Sequence, residues 1–316
     1  MPAKPHRIPV GISSCLLGQP VRFDGGHKYN RFINARLADF LEFRPYCPEV
    51  AIGLGIPRAP IRLVITTGGT RVQGVKDQSL DVTDLLANYG GKVARQLDDV
   101  CGYIFKARSP SCGMERVKTY HENGLPGRSD GTGAYAQAIM QAHPALPVEE
   151  EGRLNDPDLR DNFVERVFTL FRWKQLLARG ITPARLVDFH SRHKLSVMAH
   201  NQAAYRRLGQ RVATAGRRGF STLCREYETQ LMQALRRHAT RKSHSNVLQH
   251  LQGYFSKSVS AADRAELSRL IDDYRLGLVP LVAPLTLIRH HFLHHPNEWA
   301  QSQTYLEPYP RELMDH

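Results

Sequence analysis

Residues 8–18 read Ile8-Pro9-Val10-Gly11-Ile12-Ser13-Ser14-Cys15-Leu16-Leu17-Gly18. A short, largely apolar run that breaks into Ser-Ser-Cys and then a glycine is the pattern of a buried strand entering a turn. Outward from it the pattern alternates. Phe32–Phe40 has helical apolar spacing after a polar loop, and Val50–Gly53 and Ile61–Thr66 read as further strands. A long helix pattern over Asp84–Val100, with Leu85, Leu86, Val93 and Leu97 as its apolar positions, precedes another strand at Gly102–Lys106. Strands taken in turn with helices predict an α/β layer architecture with a mostly parallel sheet, because parallel neighbours need a crossover connection, usually a helix.

The texture changes after residue 143. Segment 144–162 has two further prolines beyond its first, an acidic run and few large apolar residues, as expected of a connection between domains. Beyond Phe163 the stretches Asn162–Arg179, Thr182–Leu208, Gly219–Ala239, Ser243–Ser256 and Ala261–Leu276 show 3.6-residue apolar spacing and almost no alternation. The expectation is an α/β domain over 1–160 followed by an all-α helical domain over 161–316. No internal repeat and no low-complexity tract interrupts either half.

The chain has 316 residues, enough for two domains that each bury a core. It has no run of about 20 apolar residues, which argues against a membrane span. Residues 1–10 have no long apolar stretch and the five cysteines are odd in number, so a reduced, cytoplasmic protein is expected. Net charge is +13 and uneven: about +2 over 1–162 and +11 over 163–316, where eleven of the fifteen histidines also lie. That field attracts phosphates or nucleic acid without specifying sequence; the alternative is a solvated Arg-rich surface.

Cys15, Cys47 and Cys112 stand in loops rich in Gly, Pro and Ser at strand ends, the usual place for ligands in an α/β sheet. Cys101, between Val100 and Tyr103-Ile104-Phe105, reads as a buried small hydrophobe, and Cys224, within a helical pattern, as packing. No C-x-x-C occurs, which removes the zinc-ribbon and thioredoxin-type signatures. Three thiolates suit a soft metal or an iron–sulfur cluster; three inert thiols are the alternative.

The motifs carrying these cysteines resemble those of the thiouracil desulfidase (TudS) family. The resemblance rests on Ile12-Ser13-Ser14-Cys15-Leu16-Leu17-Gly18 with Val21-Arg22-Phe23-Asp24-Gly25-Gly26, on Cys47-Pro48-Glu49 with Gly53-Leu54-Gly55-Ile56-Pro57-Arg58, and on Lys106-Ala107-Arg108-Ser109-Pro110-Ser111-Cys112-Gly113. The second half is similar to the YbgA-type helical domain, through Phe189–Lys194, Tyr205–Gly209, Asn246–His250, Gly253–Phe255, Tyr274-Arg275, Val279–Leu281 and Gln303–Pro310. The resemblance implies a 4Fe-4S cluster on three cysteine ligands, here Cys15, Cys47 and Cys112, with one open iron. The implied reaction is non-redox desulfuration of a thiolated uracil base, nucleoside or nucleotide, C=S to C=O with release of sulfide.

Water attack on that carbon needs a base, and Glu49 is the nearby carboxylate; a surface or helix-terminal charge is its other reading. Ser109 is the second candidate catalytic residue, with turn chemistry around Pro110 as the alternative. Ser111, Lys106, Arg108, Lys28 and Asp24 are candidate substrate-binding residues. Thr67-Gly68-Gly69-Thr70 reads as a hairpin turn in preference to a phosphate cradle. In the helical half His190, His193, Val197 and His200 share one helical stripe, and Asn246, His250 and Tyr254 another. Interhelical hydrogen bonds are expected there in preference to a metal site, since no carboxylate partner is evident. The Arg pairs at 206/207, 217/218 and 236/237, with Arg241-Lys242, favour an anionic partner such as tRNA. An RNA-binding protein with a structural or redox cluster is the competing functional reading.

Overall fold

In the computed structural model, which describes residues 7–314 apart from 218 and 257, the opening run forms strand β1, Ile8–Ser13. The leader reading falls largely on residues 1–6, outside the described residues, as does Arg218. β1 lies against β2 (Leu41–Tyr46), with Ile8 opposite Leu41 and Ser13 opposite Tyr46, and on its other side against the strand Tyr103–Phe105. Two helices follow in chain order, α1 (Arg31–Ala35) before β2 and α2 (Pro48–Ala51) after it.

A hairpin comes next, β3 (Ile61–Thr66) and β4 (Gly69–Gly74), joined by the two-residue turn Thr67-Gly68. The turn expected at 67–70 is therefore a hairpin turn. Helix α3 (Thr83–Ala94), β5 (Tyr103–Phe105), a second hairpin β6 (Val117–His121) and β7 (Pro126–Gly131), helix α4 (Ala134–Ala142) and β8 (Val148–Glu150) complete the first unit. One sheet, ordered β2-β1-β5-β8, is parallel throughout; the other, β4-β3-β6-β7, is parallel only between β3 and β6. β1 and β5 are central and almost wholly buried, which explains their continuous apolar runs. α3 and α4 pack on each other through Gly90, where a Cβ would meet Ala138 Cβ at 2.8 Å.

Four expectations need correction. Val50–Gly53 is not a strand: Pro48 opens helix α2 at a position its fixed φ suits, and Gly53, at φ +89°, turns the chain out of it. So short an apolar run does not distinguish strand from helix. The helix expected over Asp84–Val100 stops at Ala94 and continues as turns, with Gln96 N–H donating to Val93 O and Val100 N–H to Leu97 O. The connection at 144–162 holds β8, whose Glu149 and Glu150 are buried, and the start of the next helix. An edge strand of three residues is too short for its alternation to register.

The fourth correction is a break in the stretch Thr182–Leu208. The second unit, from Val164, is helical: α5 (Pro157–Ala178, begun in the first unit), α6 (Pro183–His200), α7 (Gln202–Val212), α8 (Phe220–Leu235), α9 (Arg241–Gly253), α10 (Ala261–Leu276), α11 (Val282–His294) and α12 (Glu298–Gln301). Asn201 separates α6 from α7, its extended backbone and side chain capping Ala204 N–H. Leu248, Leu251, Phe255, Leu267, Ile288 and Phe292 form the centre of this unit's core. No helix among the described residues is long and apolar enough to cross a membrane.

Candidate functional site

Cys15, Cys47 and Cys112 follow the carboxyl ends of three strands of the parallel sheet. Cys15 sits in the tight turn Ser14–Leu17 after β1, Cys47 caps α2 after β2, and Cys112 lies in the loop after β5. All three line one cavity of about 250 Å³, as do Glu49, Ser109, Lys106 and Arg108. The crevice outside the carboxyl ends of parallel strands is where α/β sheets bind ligands. Cys101 and Cys224 are buried and do not line it.

Burial pushes the Cys15 thiol up to about 11, against the pull of Lys106 and Arg22, and raises Cys47 and Cys112 as well. Three soft sulfur donors facing one cavity walled by Arg22, Arg58, Lys106 and Arg108 fit an anionic thiolate-ligated group, since the cations offset its charge. Among the described residues no three His, Cys, Asp or Glu gather as ligands of a single ion.

Glu49 is held at both oxygens. Its Oε1 accepts from Ser111 Oγ at 2.9 Å, and its Oε2 accepts from Arg58 Nε at 2.9 Å and is ion-paired with Arg58 Nη2 at 2.7 Å. Arg58 is itself fixed by donating to Gly55 O and Val21 O, and only 5% of its side chain is exposed. Ser109 Oγ accepts from the backbone N–H of Ser111 (3.2 Å) and Cys112 (3.1 Å), which occupies both hydroxyl lone pairs and leaves its O–H to donate.

The remaining candidates divide. Lys106 reaches the cavity but is paired with Glu151, whose other oxygen accepts Ala107 N–H at 2.7 Å. Arg108, exposed at the rim and at φ +60°, makes no ion pair or hydrogen bond among the described residues. Ser111 is fully buried behind Glu49 and is not part of the lining. Asp24 and Lys28 are exposed and outside the lining: Asp24 closes a turn by accepting Gly26 N–H at 3.0 Å, and Lys28 donates its backbone N–H to Cys15 O. Arg58 and Glu151 received no role from the sequence. Arg58 stood inside a quoted motif, and Glu151 inside the acidic run read as a connection.

In the helical unit the histidine stripes face their own neighbours. His190 Nδ1 lies 3.1 Å from Tyr227 OH, His193 Nδ1 2.8 Å from Phe189 O, and His200 Nε2 3.0 Å from Glu165 Oε2. On the second stripe His250 is exposed and Tyr254 packs in a tilted arrangement against Trp299 with ring centres 4.8 Å apart.

Comparison with known proteins gives matches in both halves. The family model described as 2-thiouracil desulfurase matches residues 10–151, and DUF1722, a protein family of unknown function, matches residues 194–310. The chain is 38% identical over 154 residues to the uncharacterized protein YbgA of Escherichia coli (strain K12), covering 48% of this chain and 91% of that one. It is 30% identical over 151 residues to the uncharacterized protein YbbK of Bacillus subtilis (strain 168), covering 46% of this chain and 97% of that one. Among solved structures it is similar to a [4Fe-4S]-dependent thiouracil desulfidase, TudS, at 28% identity and a TM-score of 0.37, over 48% of this chain and 95% of that chain. The chain belongs to the 2-thiouracil desulfurase family in its first half and, in its second, to the DUF1722 family that includes YbgA.

Proposed function

We propose that this protein is a desulfidase that hydrolyses the C=S bond of a thiolated uracil base or nucleotide to C=O, consuming water and releasing sulfide, with no net redox change. The observation that carries this is the convergence of Cys15, Cys47 and Cys112 on the cavity that Glu49 also lines. The three thiolates would hold a 4Fe-4S cluster; the name of the similar TudS calls that protein [4Fe-4S]-dependent. A cluster held by three cysteines supplies an open iron, a soft Lewis acid matched to a thiocarbonyl sulfur.

The chain's own residues supply the proton handling. Arg58 donates from Nε to Glu49 Oε2 and brings Nη2 to 2.7 Å of the same oxygen as an ion pair, while Ser111 alone donates to Oε1, so Oε1 is the oxygen more open to a water proton. Fixing the carboxylate in this way holds the base in one orientation before substrate arrives. Ser109, able only to donate, would offer its O–H to an oxygen or nitrogen of the substrate ring or to the oxygen that develops there. The test is anaerobic purification with iron and inorganic sulfide counted per chain, followed by sulfide release from thiouracil, thiouridine and thiouridine monophosphate. Iron-loaded protein that releases no sulfide from any of them overturns the proposal.

A further inference from the structure

Of the three cysteines on the cavity, two are fixed by the element that follows their strand at once. Cys15 sits in the turn Ser14–Leu17 directly after β1, and Cys47 caps α2 directly after β2. Cys112 lies seven residues beyond Phe105, the last residue of β5, in a loop that forms no helix. Within the loop Gly113 N–H donates to Ser109 O at 2.8 Å. Helix α4 covers its middle, with Ala134 N–H donating to Pro110 O at 3.3 Å and Ala136 N–H to Ser111 O at 3.1 Å. These bonds shape the turn around Cys112 and leave the two ends of the loop to be placed.

Both ends are held by one strand. β8 runs parallel beside β5, with Phe105 opposite Glu150, so the two strands end on the same edge of the sheet. Where the loop leaves, Glu151 Oε2 accepts Ala107 N–H at 2.7 Å and Oε1 pairs with Lys106 Nζ. Where it returns, Glu150 Oε1 accepts Met114 N–H at 2.8 Å, and Arg153 bridges Glu149 Oε1 (2.6 Å) to Glu115 Oε1 (2.8 Å). Glu149 and Glu150 are only 3% and 6% exposed. Two successive carboxylates taken out of water are costly unless donors meet them. The donors that meet these two include a backbone N–H of the Cys112 loop and an arginine tied to it.

We propose that Glu150 and Glu151 are positioning residues for Cys112: gripping the loop at Met114 and Ala107, they hold its sulfur at the cavity where a third cluster ligand is needed. The ligand role of Cys112 rests on the iron–sulfur reading above, whereas the grip on the loop does not. Ligands are kept in productive geometry by the hydrogen bonds behind them, and losing such support typically costs roughly 10–100-fold in metal affinity.

The test compares the full chain as wild type, Glu150→Ala, Glu150→Gln and Glu151→Ala. Iron per chain is counted after anaerobic loading at limiting iron. The metal-free chains are then alkylated with iodoacetamide, and mass spectrometry gives the rate at each cysteine. In Glu150→Ala the Cys112 rate is expected to rise roughly ten- to a hundredfold, the local opening that loss of a hydrogen bond to a charged acceptor allows. Cys15, Cys47 and the buried Cys101 are expected to keep their wild-type rates, and iron loading is expected to fall. Glu150→Gln, whose amide oxygen still accepts Met114 N–H, is expected to restore both readouts. Should Glu150→Ala fail to fold, Glu151→Ala puts the same question at the other end of the loop. Wild-type alkylation of Cys112 in the alanine variants means that the α4 bonds alone hold the loop, and a rise shared by Cys101 means general loosening; either overturns the proposal. So does faster alkylation with wild-type iron loading, since the cluster would then order the loop by itself. A wild-type chain that loads no iron overturns the iron–sulfur reading and the ligand role with it, while the alkylation rates still decide the grip on the loop.

Discussion

Cys15 and Cys112 in the first unit and His190 and His193 in the second are buried, with Cys47 and His200 half-buried beside them, yet the two sets face different things. The cysteines face a cavity, beside a carboxylate whose own bonds hold it in place. The histidines face a phenol, a backbone carbonyl and a carboxylate of neighbouring helical turns, and of the three only His193 keeps a buried ring nitrogen without a partner among the described residues. A parallel sheet ends all its strands on one edge, so loops from β1, β2 and β5 converge there without strain on the core. A helical bundle has no such edge, and polar groups on its inner faces are satisfied pairwise or at cost.

The largest expected effect tests the first half of this contrast. Cys15→Ala, Cys47→Ala and Cys112→Ala should each abolish iron loading, whereas Cys101→Ala and Cys224→Ala, buried outside the cavity, should load normally. Iron per chain in the five variants decides it, and full loading of Cys112→Ala ends the three-ligand assignment.

Next in size is Glu49→Gln, which keeps the shape and removes the base. General-base catalysis is typically worth ~10²–10⁴ in rate, so kcat for sulfide release should fall in that range while iron content stays at the wild-type value. Near wild-type turnover would place the base elsewhere.

How far these assignments were legible in the sequence depends on the range over which each signal acts. Ile8–Ser13 declared itself because a buried strand is a nearly continuous apolar run, Ile61–Thr66 through its β-branched and apolar residues around the buried Leu63-Val64, and both emerge with the expected bounds. β2 escaped notice because Glu42, Arg44 and Pro45 interrupt it; it is an edge strand, where proline costs little. The three cysteines were legible because each follows a strand with turn residues around it. The role of Arg58 was not: it meets Glu49 nine residues away only because the intervening chain turns at Gly53 and Gly55, both at positive φ. Lys28 and Asp24 shared a motif with the ligands without sharing their cavity, since nearness in sequence does not fix the direction of a side chain.

The helical unit should be the acid-sensitive one. Burial lowers His190 to about 4, His193 to about 3 and His244 to about 4. In the unfolded chain each titrates near 6.5, so as pH falls the unfolded state takes up protons first. The stability these groups contribute is full above about 6.5 and is lost as pH drops towards 4, at about 1.4 kcal/mol per unit of separation. His200 runs the other way: burial opposes its charge, but Glu165 outweighs it and raises the pKa, so its contribution is retained at acid pH and works against that loss. Glu165, lowered to about 2, gives way only towards that value. Both tryptophans, Trp173 and Trp299, lie in the helical unit, so their fluorescence reports on it selectively. The thermal midpoint read from them should fall between pH 6.5 and 4.5, and His193→Gln should flatten the fall. A midpoint independent of pH across that window would mean these imidazoles are protonated in the folded unit.

The smallest effect concerns charge at the two surfaces. In the first unit three of the four cations lining the cavity sit by carboxylates: Arg58 on Glu49, Lys106 on Glu151 and Arg22 at 3.5 Å from Asp24. Turnover of an uncharged thiouracil should therefore change little with salt. In the second unit Arg206, Arg207, Arg217, Arg236, Arg237 and Lys242 are exposed, and none is in an ion pair among the described residues. Exposed cations of this kind bind a flexible polyanion by counterion release, with log K falling by roughly 0.7 per neutralised phosphate per decade of salt for single strands. A single-stranded homopolymer titrated at several salt concentrations should give a slope of about two to four, and Arg206→Glu with Arg207→Glu should reduce it by more than one. A slope near zero would mean that these side chains are only solvated, and that the charge excess of the second half is a property of its surface without a partner.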